Sequence, residues 1–185
     1  MKRDELRAVA EEAAACTKCD LCRGRTNAVP GEGPANARIM LLGEAPGRTE
    51  DSTGRPFAGQ AGRMLDRALS KAGLKREDVF ITSVVKCRPP ENREPDDDEI
   101  EACKSFLERQ VDALKPKVIV LLGRVAYLSL TGRKSSIQRG PAGPYRGAVL
   151  YATCHPAVAL HGRPRWLDAL AVDLMSAAAI AEASR

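Results

Sequence analysis

Six cysteines occur in this chain, and four of them carry a pattern. Cys16 and Cys19 form a CxxC pair near the start, while Cys87 and Cys103 follow far downstream. A CxxC alone is compatible with redox chemistry, zinc binding or accident. Completed by two later cysteines, with no secretory signal ahead of it, it reads as a four-thiolate metal site that staples the N-terminal segment onto the middle of the fold. Thiolate count alone leaves zinc and an iron–sulfur cluster both open. Cys22 extends the spacing to C-x2-C-x2-C and competes with Cys19 as a ligand, whereas Cys154 reads as an ordinary small apolar residue.

Three further segments could bear on a ligand. Gly43-Glu44-Ala45-Pro46-Gly47 supplies glycines that let backbone approach a ligand closely and amides that can donate to a carbonyl or anion. Thr53-Gly54-Arg55-Pro56-Phe57-Ala58-Gly59 is a loop with one aromatic, which can anchor the loop or stack on a flat base. Cys154-His155-Pro156-Ala157 contains one of only two histidines in the chain.

The elements that must hold these residues follow from apolar periodicity. Residues 38–42, 79–85, 118–122 and 147–153 are short β-rich or apolar runs. Helical patterns cover residues 4–15, 58–72, 96–114, 124–131 and 164–182, and the third of these opens on carboxylates suited to a helix N-terminus. Residues 16–36 are polar and rich in Gly and Pro, and read as irregular. Strands alternating with helices imply a three-layer αβα sandwich around a mainly parallel four-stranded sheet. Ligands in such folds sit beyond the carboxyl ends of the strands. Three of the four strand ends carry the unusual residues.

At 185 residues the chain suits one domain spanning 1–185, with 1–36 integral to it as an N-terminal helix and metal-binding segment. No apolar run reaches the roughly 18 residues of a membrane span. A cytoplasmic location with reduced thiols is therefore expected. The net charge of +5 fits either a solvated surface or a polyanionic partner. A phosphate-ester hydrolase is disfavoured, because the Walker pattern and a carboxylate cluster for metal ions are both missing.

Taken together, the chain resembles the iron–sulfur uracil-DNA glycosylases, the family 4 enzymes of bacteria and archaea. The resemblance runs through the CxxC, Val29-Pro30-Gly31-Glu32-Gly33, the Gly43–Gly47 turn with Glu50-Asp51, Gly54-Arg55-Pro56-Phe57, Val85-Lys86-Cys87-Arg88-Pro89-Pro90-Glu91-Asn92-Arg93, Cys103 and His155-Pro156-Ala157. It implies a [4Fe–4S] cluster on Cys16, Cys19, Cys87 and Cys103, with zinc as the alternative. It also implies a monomeric hydrolase of uracil-containing DNA, single- or double-stranded; a sliding-clamp partner is not decided by the sequence.

A target base inside a duplex must be flipped into a pocket. The resemblance places His155 as donor to uracil O2, Gly43, Glu44 and Ala45 along the pocket, and Phe57 against the ring. Glu44 would support the cation-like sugar or the water, with Glu50 and Asn92 as further candidates. Arg88, Arg93 and Arg163 would contact phosphates. One departure stands out: Ser83 occupies the position where the family carries an asparagine that reads the uracil edge. That change opens the alternative of a non-catalytic or broadened-specificity binder of damaged bases. A related branch that traps uracil-DNA covalently carries an inserted loop with a histidine, which the segment after Cys87 lacks.

Overall fold

The computed structural model describes residues 1–133, 136–160 and 164–184. Its sheet is built from β1 (Ile39–Gly43), β2 (Phe80–Ser83), β3 (Val118–Leu122), β4 (Gly140–Tyr145) and β5 (Ala148–Thr153), in the order β2-β1-β3-β5-β4. The first three strands and β5 are parallel, and β4 runs antiparallel to β5 at the edge. Every residue of β1, β2 and β3 is buried, the mark of a sheet covered on both faces.

Side-chain alternation divides the core. Met40, Leu42, Ile119, Leu121 and Leu150 point to one face, packed beneath α1 (Lys2–Ala15), α5 (Asp97–Leu114) and α6 (Arg124–Thr131). Ile39, Leu41, Val118, Val120 and Tyr151 point to the other, beneath α4 (Gln60–Lys71) and α7 (Pro164–Ala183). The chain is therefore an αβα sandwich. Among the described residues no helix is long and apolar enough to cross a membrane.

Helix ends follow their local chemistry. Asp96 and Glu99 form the capping box that opens α5, with Glu99 accepting from the Asp96 amide at 2.8 Å. At its other end Lys115 takes a left-handed conformation before Pro116. Arg109 of α5 donates to Glu5 at 2.8 Å and Glu12 at 2.9 Å, which fastens α1 along it.

Two features differ from the expectation. The sheet has five strands, not four, because Gly140-Pro-Ala-Gly-Pro-Tyr145 joins as β4. Its glycines and prolines read as loop; proline is nevertheless tolerated in an edge strand, where one side of the ladder is unused. The connection to β5 is a two-residue turn in which Arg146 (φ 46°) and Gly147 (φ 85°) both have positive φ, the signature of a tight hairpin. The second difference is that the segment 16–36, expected to be irregular, contains a short helix, α2 (Leu21–Gly24); a further short helix, α3 (Arg48–Thr53), follows the Gly43–Gly47 turn.

Candidate active site

The carboxyl ends of the four parallel strands converge. Gly43 ends β1 and pairs in register with Ser83, which ends β2. Gly123 follows β3, and its amide donates to the carbonyl of Thr153, the last residue of β5. His155 lies two residues further on. A side chain on Gly43 would meet the Phe57 ring at 2.7 Å and the Ser83 hydroxyl at 3.3 Å, and one on Gly123 would meet the His155 Cβ at 3.0 Å. The Phe57 and His155 rings are tilted against each other with centroids 5.9 Å apart. The structure thus brings together Gly43, Phe57, Ser83 and His155.

The protonation of His155 follows from its neighbours. Its Nδ1 accepts a hydrogen bond from the Ala157 amide at 3.2 Å, within the turn that Pro156 starts. An accepting Nδ1 carries no proton, so a neutral ring holds its proton on Nε2 and offers it as a donor. Burial pushes the imidazole pKa down, opposed more weakly by the Glu50 carboxylate. The net effect favours the neutral, Nε2-protonated ring.

Glu44 sits at the end of β1, half-buried, and its carbonyl accepts from the Val85 amide at 3.2 Å. Burial raises its carboxyl pKa, with Glu94 adding to the effect and Arg124 countering it. The amides of Glu44 and Ala45 have no hydrogen-bond acceptor among the described residues.

Other expected residues are occupied elsewhere. Glu50 holds two loops together: one oxygen takes the Gly47 amide at 3.1 Å and the other the Gly59 amide at 2.8 Å. Its neighbour Asp51 is buried and accepts from the amides of Thr26 and Asn27, tying α3 to the segment after the first cysteines. Asn92 lies exposed in a 3-10 turn with φ 56° and accepts from Arg88 at 2.7 Å. Arg93 forks onto Glu99 at 2.7 and 2.9 Å, next to the α5 cap. Arg163 lies outside the described residues.

A cavity lies beside the Val85–Cys87 segment. It is lined by Cys16, Cys19, Cys22, Cys87 and Cys103, with Ala13, Leu21 and Phe106 as its apolar walls. All six cysteines are free thiols. Three N–H groups aim at sulfur: Arg25 at Cys87 (3.1 Å), the Lys86 amide at Cys103 (3.3 Å) and the Lys18 amide at Cys16 (3.5 Å). Among the described residues no three Cys, His, Asp or Glu side chains form a group that could hold one metal ion.

Lys86 runs from the cysteine-lined cavity to the end of β2. Its side chain is buried and its ammonium donates to the Thr82 hydroxyl and the Ser83 carbonyl, both at 2.7 Å, and to Gln110 at 2.8 Å. Burial pulls its pKa down to about 8, and Cys103 opposes that pull. Sequence reading passed over it, although a lysine following Val84-Val85 at a strand end was the signal available.

Comparison with known proteins shows the family of this chain. A sequence model of the Uracil DNA glycosylase superfamily matches residues 30–174. The chain is 44% identical over 173 residues to the Type-4 uracil-DNA glycosylase of Saccharolobus solfataricus, covering 87% of this chain and 80% of that protein. It is 43% identical over 176 residues to the Type-4 enzyme of Thermotoga maritima, covering 92% of each. The chain belongs to the type-4 uracil-DNA glycosylases. Similarity to a Type-5 uracil-DNA glycosylase of Pyrobaculum aerophilum is lower, at 35% over 148 residues, or 70% of this chain and 65% of that protein.

Proposed function

We infer that this chain removes uracil from DNA by hydrolysing the bond between the base and deoxyribose, leaving an abasic site. The observation that carries this reading is His155, a ring set to be neutral with its Nε2 proton available, packed beside Phe57 at the joint ends of the parallel strands.

Bond cleavage moves negative charge onto uracil O2 and leaves the sugar cation-like. Nε2–H of His155 stabilises the developing oxyanion without having to transfer its proton, and a neutral donor retains its proton more firmly than an imidazolium would. The Glu44 and Ala45 amides add donors on the same side, and Phe57 stacks on the flipped ring. Glu44 in its ionised form supports the sugar cation and orients water, whose hydroxide ends on C1′ while its other proton passes to the departing base. Gly43 keeps the pocket thin. Ser83 presents a hydroxyl that can donate or accept toward the base edge.

Cys16, Cys19, Cys87 and Cys103 are the residues that would hold a [4Fe–4S] cluster. These four line one cavity with apolar walls, beside Cys22, and three of them receive an N–H donor, a setting that suits such a cluster; zinc is the alternative. Its contribution is structural: it fastens the N-terminal segment to β2 and α5. The substrate is uracil-containing DNA, and the protein acts as a monomer.

The test is incubation with a uracil-containing oligonucleotide followed by alkali cleavage. The parent cleaves, and His155→Ala cleaves about two to three orders of magnitude more slowly while binding uracil-DNA nearly as well. Parent protein that binds without cleaving, or a His155→Ala variant at the parent rate, refutes the reading. Iron close to four per chain is expected, and one stoichiometric zinc with no iron refutes the cluster.

A further inference from the structure

Phe57 has an unusual backbone for a bulky residue, with φ 48° in the left-handed region. Something must hold it there. Its carbonyl is pressed against α4, where a Cβ on Gly62 would fall 1.7 Å from it. The same carbonyl accepts from one terminal nitrogen of Arg76 at 3.3 Å, and the Pro56 carbonyl accepts from the other. One guanidinium therefore grips two consecutive carbonyls at the strained point.

Arg76 is itself held. Its Nε and a terminal nitrogen fork onto one oxygen of Glu32 at 3.1 and 2.9 Å, and the remaining terminal nitrogen reaches Asp66 of α4 at 2.9 Å. Glu32 also binds Arg55 of the Phe57 loop at 2.9 and 3.2 Å. Its backbone is locked to β2, exchanging hydrogen bonds with Ile81 at 2.9 and 2.8 Å. This close approach explains the glycines on either side. A Cβ on Gly31 would lie 2.8 Å from the Ile81 carbonyl, and one on Gly33 would lie 2.4 Å from the Val79 carbonyl. The Val29–Gly33 segment thus delivers one carboxylate to the back of the Phe57 loop.

We propose that Arg76, braced by Glu32, is a positioning residue that fixes the Phe57 ring as the stacking wall of the base pocket. This rests on the reading of Phe57 as the ring that stacks on uracil. Arginine is required because its planar fork serves a carboxylate along one edge and carbonyls along another, which the point charge of lysine cannot do.

The experiment is a double-mutant cycle with Arg76→Met, Phe57→Ala and the double variant, in the cluster-loaded protein. The readouts are single-turnover uracil excision and inhibition by free uracil, beside thermal unfolding. Phe57→Ala is expected to weaken both activity readouts about ten- to a hundredfold, the range of one lost base stack. Arg76→Met alone is expected to weaken them about tenfold, but by less than about twofold in the Phe57→Ala background, since the ring it positions is gone. Should Arg76→Met fail to fold, Arg76→Lys and Glu32→Gln replace it with the same non-additive pattern expected. Losses that multiply fully overturn the proposal while leaving the stacking reading intact. A Phe57→Ala variant at the parent rate overturns both. Equal losses of thermal stability with unchanged excision reduce Arg76 to a fold brace and overturn the proposal.

Discussion

Replacing Gly43 by alanine tests the pocket with a single methyl group. Gly43 does not have a positive φ, so alanine adds no backbone strain and the effect is steric alone. The new Cβ would stand 2.7 Å from two carbons of the Phe57 ring, while carbon–carbon contacts are comfortable at about 3.5–4.0 Å. The ring must retreat by about 1 Å. Retreat is resisted on the far side, where Phe57 is buried and its backbone is gripped by Arg76. Overpacking of this kind costs about 1–3 kcal/mol of stability, which in a domain of this size lowers the unfolding midpoint by about 2–12 °C. The activity loss should be larger than stability accounts for, because a group misplaced by about 1 Å can cost about a hundredfold in rate. Single-turnover excision and thermal unfolding, measured at a temperature where both proteins are folded, separate the two effects. A Gly43→Ala enzyme with the parent rate and midpoint would mean that the Phe57 ring does not lie over Gly43, and the pocket described above would be wrong.

Two more outcomes follow from the same geometry. His155 must be neutral at Nδ1 to accept from Ala157, and burial holds its folded pKa below the ordinary 6.5. As pH falls below 6.5 the unfolded chain takes up the proton first. The contribution of His155 to stability is therefore fully present above 6.5, declines as pH falls toward the lowered folded value, and is constant beneath that. Excision holds at pH 6.5 and fails only at more acid pH; a rate already halved at or above 6.5, and restored to a flat profile by His155→Gln, contradicts the neutral-donor account. Ser83→Asn should raise excision of uracil and sharpen rejection of hypoxanthine, xanthine and cytosine, because a longer amide reaches the base edge that serine leaves to water. Side-by-side assays on oligonucleotides carrying each base check this, and unchanged selectivity would mean that Ser83 does not face the base.

The parts of the fold that could be read from sequence are those where local chemistry agrees with the final structure. Apolar runs closed by Gly43 and Gly123 mark strand ends, and Asp96 with Glu99 marks the start of α5, because each signal lies within a few residues of what it specifies. The strand ends gave the pocket, since a parallel sheet gathers its carboxyl termini on one side. β4 was illegible because its glycines and prolines argue against a strand, and only pairing with β5 overrides them. Lys86 was passed over because lysine ordinarily marks a solvated position. The meeting of Arg76 with Glu32, 44 residues apart, leaves no local trace at all. Glu50 illustrates the opposite difficulty: a carboxylate in a glycine-rich turn looks poised for chemistry, yet both its oxygens are taken by backbone amides.

The two rims of the sheet also bear on how the protein behaves in crowded solution. An open strand rim is a template onto which another chain can add its own strand, the usual beginning of edge-to-edge aggregation. On one rim, β2 already has its outer side engaged at Ile81 by the backbone of Glu32. On the other, Pro141 and Pro144 of β4 have no N–H to offer, and the register slips between Pro141 and Gly143. Neither rim presents an unbroken ladder to a second copy. The same Gly-Pro composition that hid β4 from sequence reading is what makes it a terminus of the sheet and not a point of growth.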